Sequence, residues 1–187
     1  QGVGGAIHAI ESSLLIDDLQ LNDNQAWNAG GIWSYRCGLI CRDSLFQDSV
    51  AEGSGGAAYG FYGSHVYERC TISGGQAGMG AGLMHFESLV EVEDCEFTGN
   101  VAGDQGGGFH GDSLVSRSRI RDSVFTGNLA QDGAGFMLAS TSGFNLNSTV
   151  FTSNQASRNG GGLCFEDSEF QSHSCVFLGN SAAQHGA

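Results

Sequence analysis

The chain contains no proline and no lysine among its 187 residues. All seven basic residues are arginine, against 20 acidic ones, for a formal charge of −13. So few cations cannot build the basic stripe that a phosphate backbone requires, so no nucleic-acid partner is expected. Without proline, and without glycine at every third residue, a collagen triple helix is excluded. No run of about 18 apolar residues occurs, so no membrane-spanning helix is expected. Disorder is excluded as well, because hydrophobic residues reach 40% and 12 are phenylalanine.

Glycine is in excess: 31 of 187 residues, against a usual share of about 7%. It belongs to a repeat. An apolar head, two residues, Asn and then x-Ala recurs at Phe97-Thr-Gly-Asn100-Val-Ala102, Phe125-Thr-Gly-Asn128-Leu-Ala130, Phe151-Thr-Ser-Asn154-Gln-Ala156 and Phe177-Leu-Gly-Asn180-Ser-Ala182. Weaker copies start at Leu21 (with Asn24), Phe46 (with Ser49) and Ile72 (with Gly75). The heads are spaced by 25 to 28 residues. A second phrase, small glycine-rich residues followed by an apolar one, keeps the same period at Gly5-Ala6, Gly31-Ile32, Gly56-Ala57, Gly82-Leu83, Gly108-Phe109, Gly135-Phe136 and Gly162-Leu163.

A period near 26 fits a leucine-rich repeat or one coil of a parallel β-helix. The Leu-x-x-Leu-x-Leu pattern is missing, and this much glycine opposes helix. Short alternating stretches between Gly, Asn and Asp turns instead predict an all-β fold: a right-handed parallel β-helix of about seven coils. At the strand spacing of about 4.8 Å, seven coils make a rod roughly 34 Å long.

Counting back from the head gives three inward columns. Two residues earlier stand Leu19, Ser44, Cys70, Cys95, Ser123, Thr149 and Cys175. Five earlier stand Ile16, Cys41, Tyr67, Val92, Ile120, Leu146 and Ser172; seven earlier, Leu14, Leu39, His65, Val90, Ser118, Phe144 and Phe170. The third coil, with His65 and Tyr67 inward and Val66 outward, fits this register least well. The heads Phe46, Ile72, Phe97, Phe125, Phe151 and Phe177 are expected to form a structural ladder. Asn24, Asn100, Asn128, Asn154 and Asn180 are expected in turns, where Asn tolerates φ > 0. The Gly pair suits a corner with no room for Cβ. Residues 1–187 read as one domain. Gln184-His185-Gly186-Ala187 looks like the opening of another unit, so a fragment of a longer repeat protein is expected.

Gly4-Gly5-Ala6-Ile7 and Phe97-Thr-Gly-Asn100 resemble the GGAI and FxxN repeats of the chlamydial polymorphic outer membrane protein family, and the resemblance runs the length of the chain. It implies a secreted, cell-surface β-helical passenger with an adhesive role. Similar repeats occur in large extracellular proteins of other bacteria and of protists. The first three coils depart from the pattern at Leu21, Ser49, Ile72 and Gly75, and the barrel expected of the bacterial family is not within this sequence.

No Cys-x-x-Cys pair suggests structural zinc. Cys70 and Cys95 share a column on adjacent coils, within disulfide reach, and Cys164 and Cys175 share one coil and could meet across it. Both are candidate disulfides; buried thiols filling small slots are the alternative. Carboxylates are scattered. The fourth position after the Gly corner reads Ala9, Tyr35, Gly60, Phe86, Asp112, Ala139 and Glu166, with no acidic pair on neighbouring coils. Glu91 and Glu93 should share an outer face with Glu68, Arg119 and Arg121, as cross-strand pairs or as a cation or sugar site. Asp104 and Asp132 each offer one carboxylate per turn, where a Ca²⁺ site wants six to eight oxygens, so no cofactor is expected, with Ca²⁺ as the alternative. His65 reads as a core histidine, and His85 and His110, offset by one residue, should face oppositely. No nucleophile elbow or phosphate loop occurs. Asn147-Ser148-Thr149 is the one glycosylation sequon, with Asn147 outward. Trp27, Trp33, Tyr35, Tyr59, Phe61, Tyr62 and Tyr67 crowd the early coils, as exposed patch or as core.

The expectation is a non-catalytic structural and adhesive rod in an extracellular or cell-surface protein, with other protein chains or surface glycans as partners. A polysaccharide-acting lyase or hydrolase, and a filament subunit self-associating end to end, are the alternatives.

Overall fold

The computed structural model describes residues 2–186. Each coil makes four short strands, and like strands of successive coils pair in parallel, giving four seven-stranded sheets. In the fourth coil these are Leu83–Phe86 in sheet A, Leu89–Glu93 in sheet B, Glu96–Thr98 in sheet C and Val101–Gln105 in sheet D. No helix is present among the described residues.

The expected columns pair as read. Ile16, Cys41, Tyr67, Val92, Ile120, Leu146 and Ser172 are successive partners in sheet B, and Leu14, Leu39, His65 and Val90 run beside them. The doubtful third coil keeps the register, with His65 and Tyr67 fully buried. The ladder from Phe46 through Ile72 to Phe177 runs down sheet C. Its rings lie almost parallel, with centroids 4.4 Å apart for Phe97 and Phe125 and 4.9 Å for Phe125 and Phe151. Sheet D contributes a narrow ladder that includes Ala77, Ala102, Ala130 and Ala156.

Every coil has a left-handed residue at each of its four junctions between sheets, and the fifth and sixth coils add Arg117 and Gly143. In the fourth coil the four are Glu87, Asp94, Gly99 and Gly106. This corrects the role expected of the turn asparagines. The left-handed residue is the one before them: Asp23, Gly99, Gly127, Ser153 and Gly179 precede Asn24, Asn100, Asn128, Asn154 and Asn180. That turn swings the Asn side chain inward, where its amide satisfies backbone groups no strand can reach. The Asn128 amide donates to Phe97 O and Asn154 Oδ1, and its oxygen accepts from the backbone and side-chain nitrogens of Asn100, all at 2.9–3.0 Å. Asn100, Asn154 and Asn180 continue this ladder.

The column two residues before the ladder has an equally specific task. Ser44, Ser123 and Thr149 donate to the carbonyl two residues back, and Ser44 and Ser123 also accept the N–H of the preceding coil. Cys70 and Cys95 do the same with thiols, to Glu68 O at 3.4 Å and Glu93 O at 3.2 Å. The expected Cys70–Cys95 disulfide is therefore not formed; both sulfurs serve as rungs, and all six cysteines are free. Cys164 and Cys175 do not meet across the core. Cys164 pairs with Met137 on the outer face of sheet A, whereas the Cys175 thiol turns to Leu146 O.

The Gly corner is set by the close approach of stacked backbones. A Cβ on Gly82 would lie 2.1 Å from Gly108 O, and one on Gly56 would lie 2.1 Å from Ala81 O. The pairing also corrects the count after this corner. Ile7 pairs with Ile32, and Ala58 with Leu83, so the first and third coils are displaced by one residue. The outward position is held by Ile10 and Phe61, not by Ala9 and Gly60.

Candidate binding face

Along each strand of sheet A, alternate residues point outward. The inner set includes Ile32, Leu83, Phe109 and Phe136, which belong to the core. The outer set contains Trp33 and Tyr35, then Tyr59 and Phe61, then Met84 and Phe86, each pair directly above the last. Tyr62, at the adjoining corner, is 41% exposed. Trp33 and Tyr35 lie near-parallel at 6.2 Å between centroids, while Phe61 and Phe86 approach to 5.4 Å and Tyr62 stands edge-on to Tyr35 at 5.8 Å. The Arg36 guanidinium sits 5.1 Å from the Tyr35 ring centre. The outer rings of sheet A are half-buried, each leaving part of itself to solvent. Of the aromatics singled out in the early coils, Tyr67 goes to the core and Trp27 to a separate groove beside Val50 and Glu52.

Further along the same face, aromatics give way to polar groups. His110 follows Met84, and Asp112 follows Phe86. His110 is buried, neither ring nitrogen has a partner among the described residues, and burial pulls its pKa down to about 4 despite Asp112 and Asp104. Burial, and then the Asp112 charge, push the Tyr59 hydroxyl up to about 12. Beyond His110 the ends of the sheet D strands stand over the face and wall a groove of about 630 Å³. Met137, Cys164 and Glu166 lie on its sheet A side, and Gln105, Asp132, Arg158 and Asn159 on the other. Arg158 bridges Asp132 and Asp104, so the two single-carboxylate turns do converge, around a guanidinium. Asp132 Oδ1 also accepts from the backbone and side chain of Asn159, at 3.1 and 2.8 Å. Among the described residues, no group of three or more His, Cys, Asp or Glu is placed to hold a metal.

The acidic group expected on sheet B is where the spacing put it, in cross-strand ion pairs. Arg119 meets Glu91 at 2.6 Å, Arg42 meets Glu68 at 2.7 Å, and Arg121 meets Glu93. Asn147 is half-exposed on this outer face, while Thr149 of its sequon is buried. His85 and His110 face opposite ways, since His85 pairs with Gly111 and His110 with Met84. Among the described residues His65 is satisfied on one side only: Nε2 lies 3.0 Å from Ser34 Oγ, and Nδ1 has no partner. His85 packs against it with the rings tilted and centroids 4.7 Å apart, in the space Gly60 leaves, where a Cβ would come within 2.5 Å of the ring. Sequence reasoning missed Met84, Phe86 and Arg158. Phe86 could have been found by aligning outward positions with the first and third coils shifted by one.

Four parallel sheets wound around a ladder core define a parallel β-helix. The family model describing a right-handed β-helix region matches residues 5–186, and the chain belongs to that family. No curated protein and no solved structure matches it.

Proposed function

We propose that the chain is a non-catalytic structural and adhesive rod segment of a secreted or cell-surface protein, with the outer face of sheet A as its contact surface. The aromatic stripe carries this reading. Trp33, Tyr35, Tyr59, Phe61 and Phe86 form one continuous surface over three coils, though a solvent-facing β-helix face needs no aromatics for stability. Flat rings spaced along an axis suit the apolar faces of successive sugar rings in a neutral glycan. The charge of −13 disfavours acidic ones. The GGAI and FxxN phrases, similar to repeats of the polymorphic outer membrane protein family, support the surface placement.

Trp33 is the natural reporter. Titration with cellohexaose and chitohexaose should shift its emission, and Tyr35→Ser with Phe86→Ser should weaken the response at least tenfold without loss of fold. An unchanged emission with both sugars would remove the glycan reading and leave a protein partner for this face.

A second reading, a polysaccharide lyase or hydrolase, draws on the groove holding Asp132 and Glu166. It is the weaker one, because Asp132 is already neutralised by Arg158 and committed to Asn159. Turnover of any polysaccharide that Glu166→Gln abolishes would establish it in place of the first.

A further inference from the structure

We infer that the buried thiols of Cys41 and Cys70 form an oxidisable pair, a disulfide modification site joining the second and third coils, with Cys95 as a third sulfur able to exchange into it. The two sulfurs are 3.9 Å apart. They reach each other from different positions in the coil: Cys41 projects inward from sheet B, and Cys70 stands at the junction of sheets B and C. Nothing but thiol contact occupies the line between them, and the Cys70 thiol also points at Cys41 O, 3.5 Å away. The Cys95 thiol makes the matching contacts, to Glu93 O and Tyr67 O, but the thiol–thiol contact is the one between Cys70 and Cys41. Among the described residues, the Cys70 thiol is the one hydrogen-bond partner of Cys41 Sγ. Bond formation requires the sulfurs to close to about 2.05 Å, a movement that two χ1 rotations share.

The chemistry balances with a two-electron oxidant small enough to enter the core, a peroxide. Cys70 is the attacking sulfur, because the Cys41 thiol 3.9 Å away can hydrogen-bond to its thiolate and so holds its pKa down. Its thiolate attacks a peroxide oxygen, the O–O bond breaks, and a sulfenic acid and hydroxide result. Cys41 sulfur then displaces hydroxide from the sulfenic acid. The S–O bond breaks as the S–S bond forms, and the two thiol protons leave in two molecules of water. The bridge spans 29 residues of chain. It ties together the coils that carry Trp33, Tyr35, Tyr59 and Phe61.

The test is peptide mapping of the full chain after hydrogen peroxide treatment of the native reduced protein, with the remaining thiols alkylated in denaturant. The expected product is a Cys41–Cys70 cross-linked peptide and a raised urea midpoint. Cys95→Ser should keep both, as serine already fills that column at Ser44 and Ser123. Cys41→Val, matching Val92 in its own column, should lose the midpoint shift and divert Cys70 to Cys95. A parallel arm refolds the reduced chain in a glutathione redox buffer, which reaches the thiols before they are buried. A dominant Cys70–Cys95 link in the wild type, or Cys41 and Cys70 both still alkylatable after both arms, would overturn the proposal.

Discussion

Asn128 uses every hydrogen-bonding site on its side chain, two donors and two acceptor lone pairs, all on protein groups. Removing the amide strands Phe97 O and Asn100 N in the core and takes one bond each from Asn100 Nδ2 and Asn154 Oδ1, where each unmet group costs about 1–3 kcal/mol. Asn128→Ala should therefore lose roughly 3–5 kcal/mol in urea unfolding. Asn128→Asp should lose at least as much, since a carboxylate cannot donate to Phe97 O. The histidines make the opposite kind of statement. His65 and His110 are held near pKa 4, chiefly by burial, against 6.5 when exposed. The unfolded chain thus binds protons below pH 6.5 that the folded chain refuses until about pH 4. Stability is complete above pH 6.5 and falls as the pH drops through that window, by about 1.4 kcal/mol per unit for each histidine. His85, fully buried beside His65, is held down by burial in the same way, so His110→Met, matching Met84 and Met137 above and below it, should flatten the urea midpoint against pH by about a third.

At the scale of the element, the corners separate two reasons for glycine. Gly82 has an ordinary φ but no room, so Gly82→Ala drives Cβ into Gly108 O and should cost more than about 3 kcal/mol. Gly99 has φ of 63° and open space around it. Asp23, Asp48 and Ser153 hold the same corner on other coils, so Gly99→Asp should cost no more than about 1 kcal/mol. Thermal melts of the two variants would separate the two reasons. These corners also mark how far the sequence could be read. Period, columns and Phe ladder were legible, because every coil repeats the same burial problem in the same register. The Asn side chains were misread because a left-handed turn before Asn and one at Asn leave the same sequence pattern. The outward stripe was blurred because Ala6 and Ala57 sit where other coils have the second glycine, which shifted the count by one. The Cys41–Cys70 contact was invisible for another reason: it joins two different columns across the coil interior, and column alignment compares only like with like.

For the whole molecule, stacking makes stability nearly one-dimensional, since each coil packs on its neighbours alone. The same side chain then contributes according to how many coils cover it. Phe125 is fully buried, with Phe97 and Phe151 on either side, whereas among the described residues Phe177 stacks on Phe151 alone and is 44% exposed. Phe125→Ala opens a cavity between two rings and should cost about 3–5 kcal/mol. Phe177→Ala removes roughly half as much buried surface, leaves no enclosed cavity and should cost about 1–2 kcal/mol. The difference is also one of extent. A defect at Phe125 uncouples the coils on either side, so amide exchange should speed up in both directions from it. A defect at Phe177 should be felt in its own coil and little beyond. Equal losses for the two variants, or exchange raised uniformly along the chain, would mean that the rod unfolds as one block and not coil by coil.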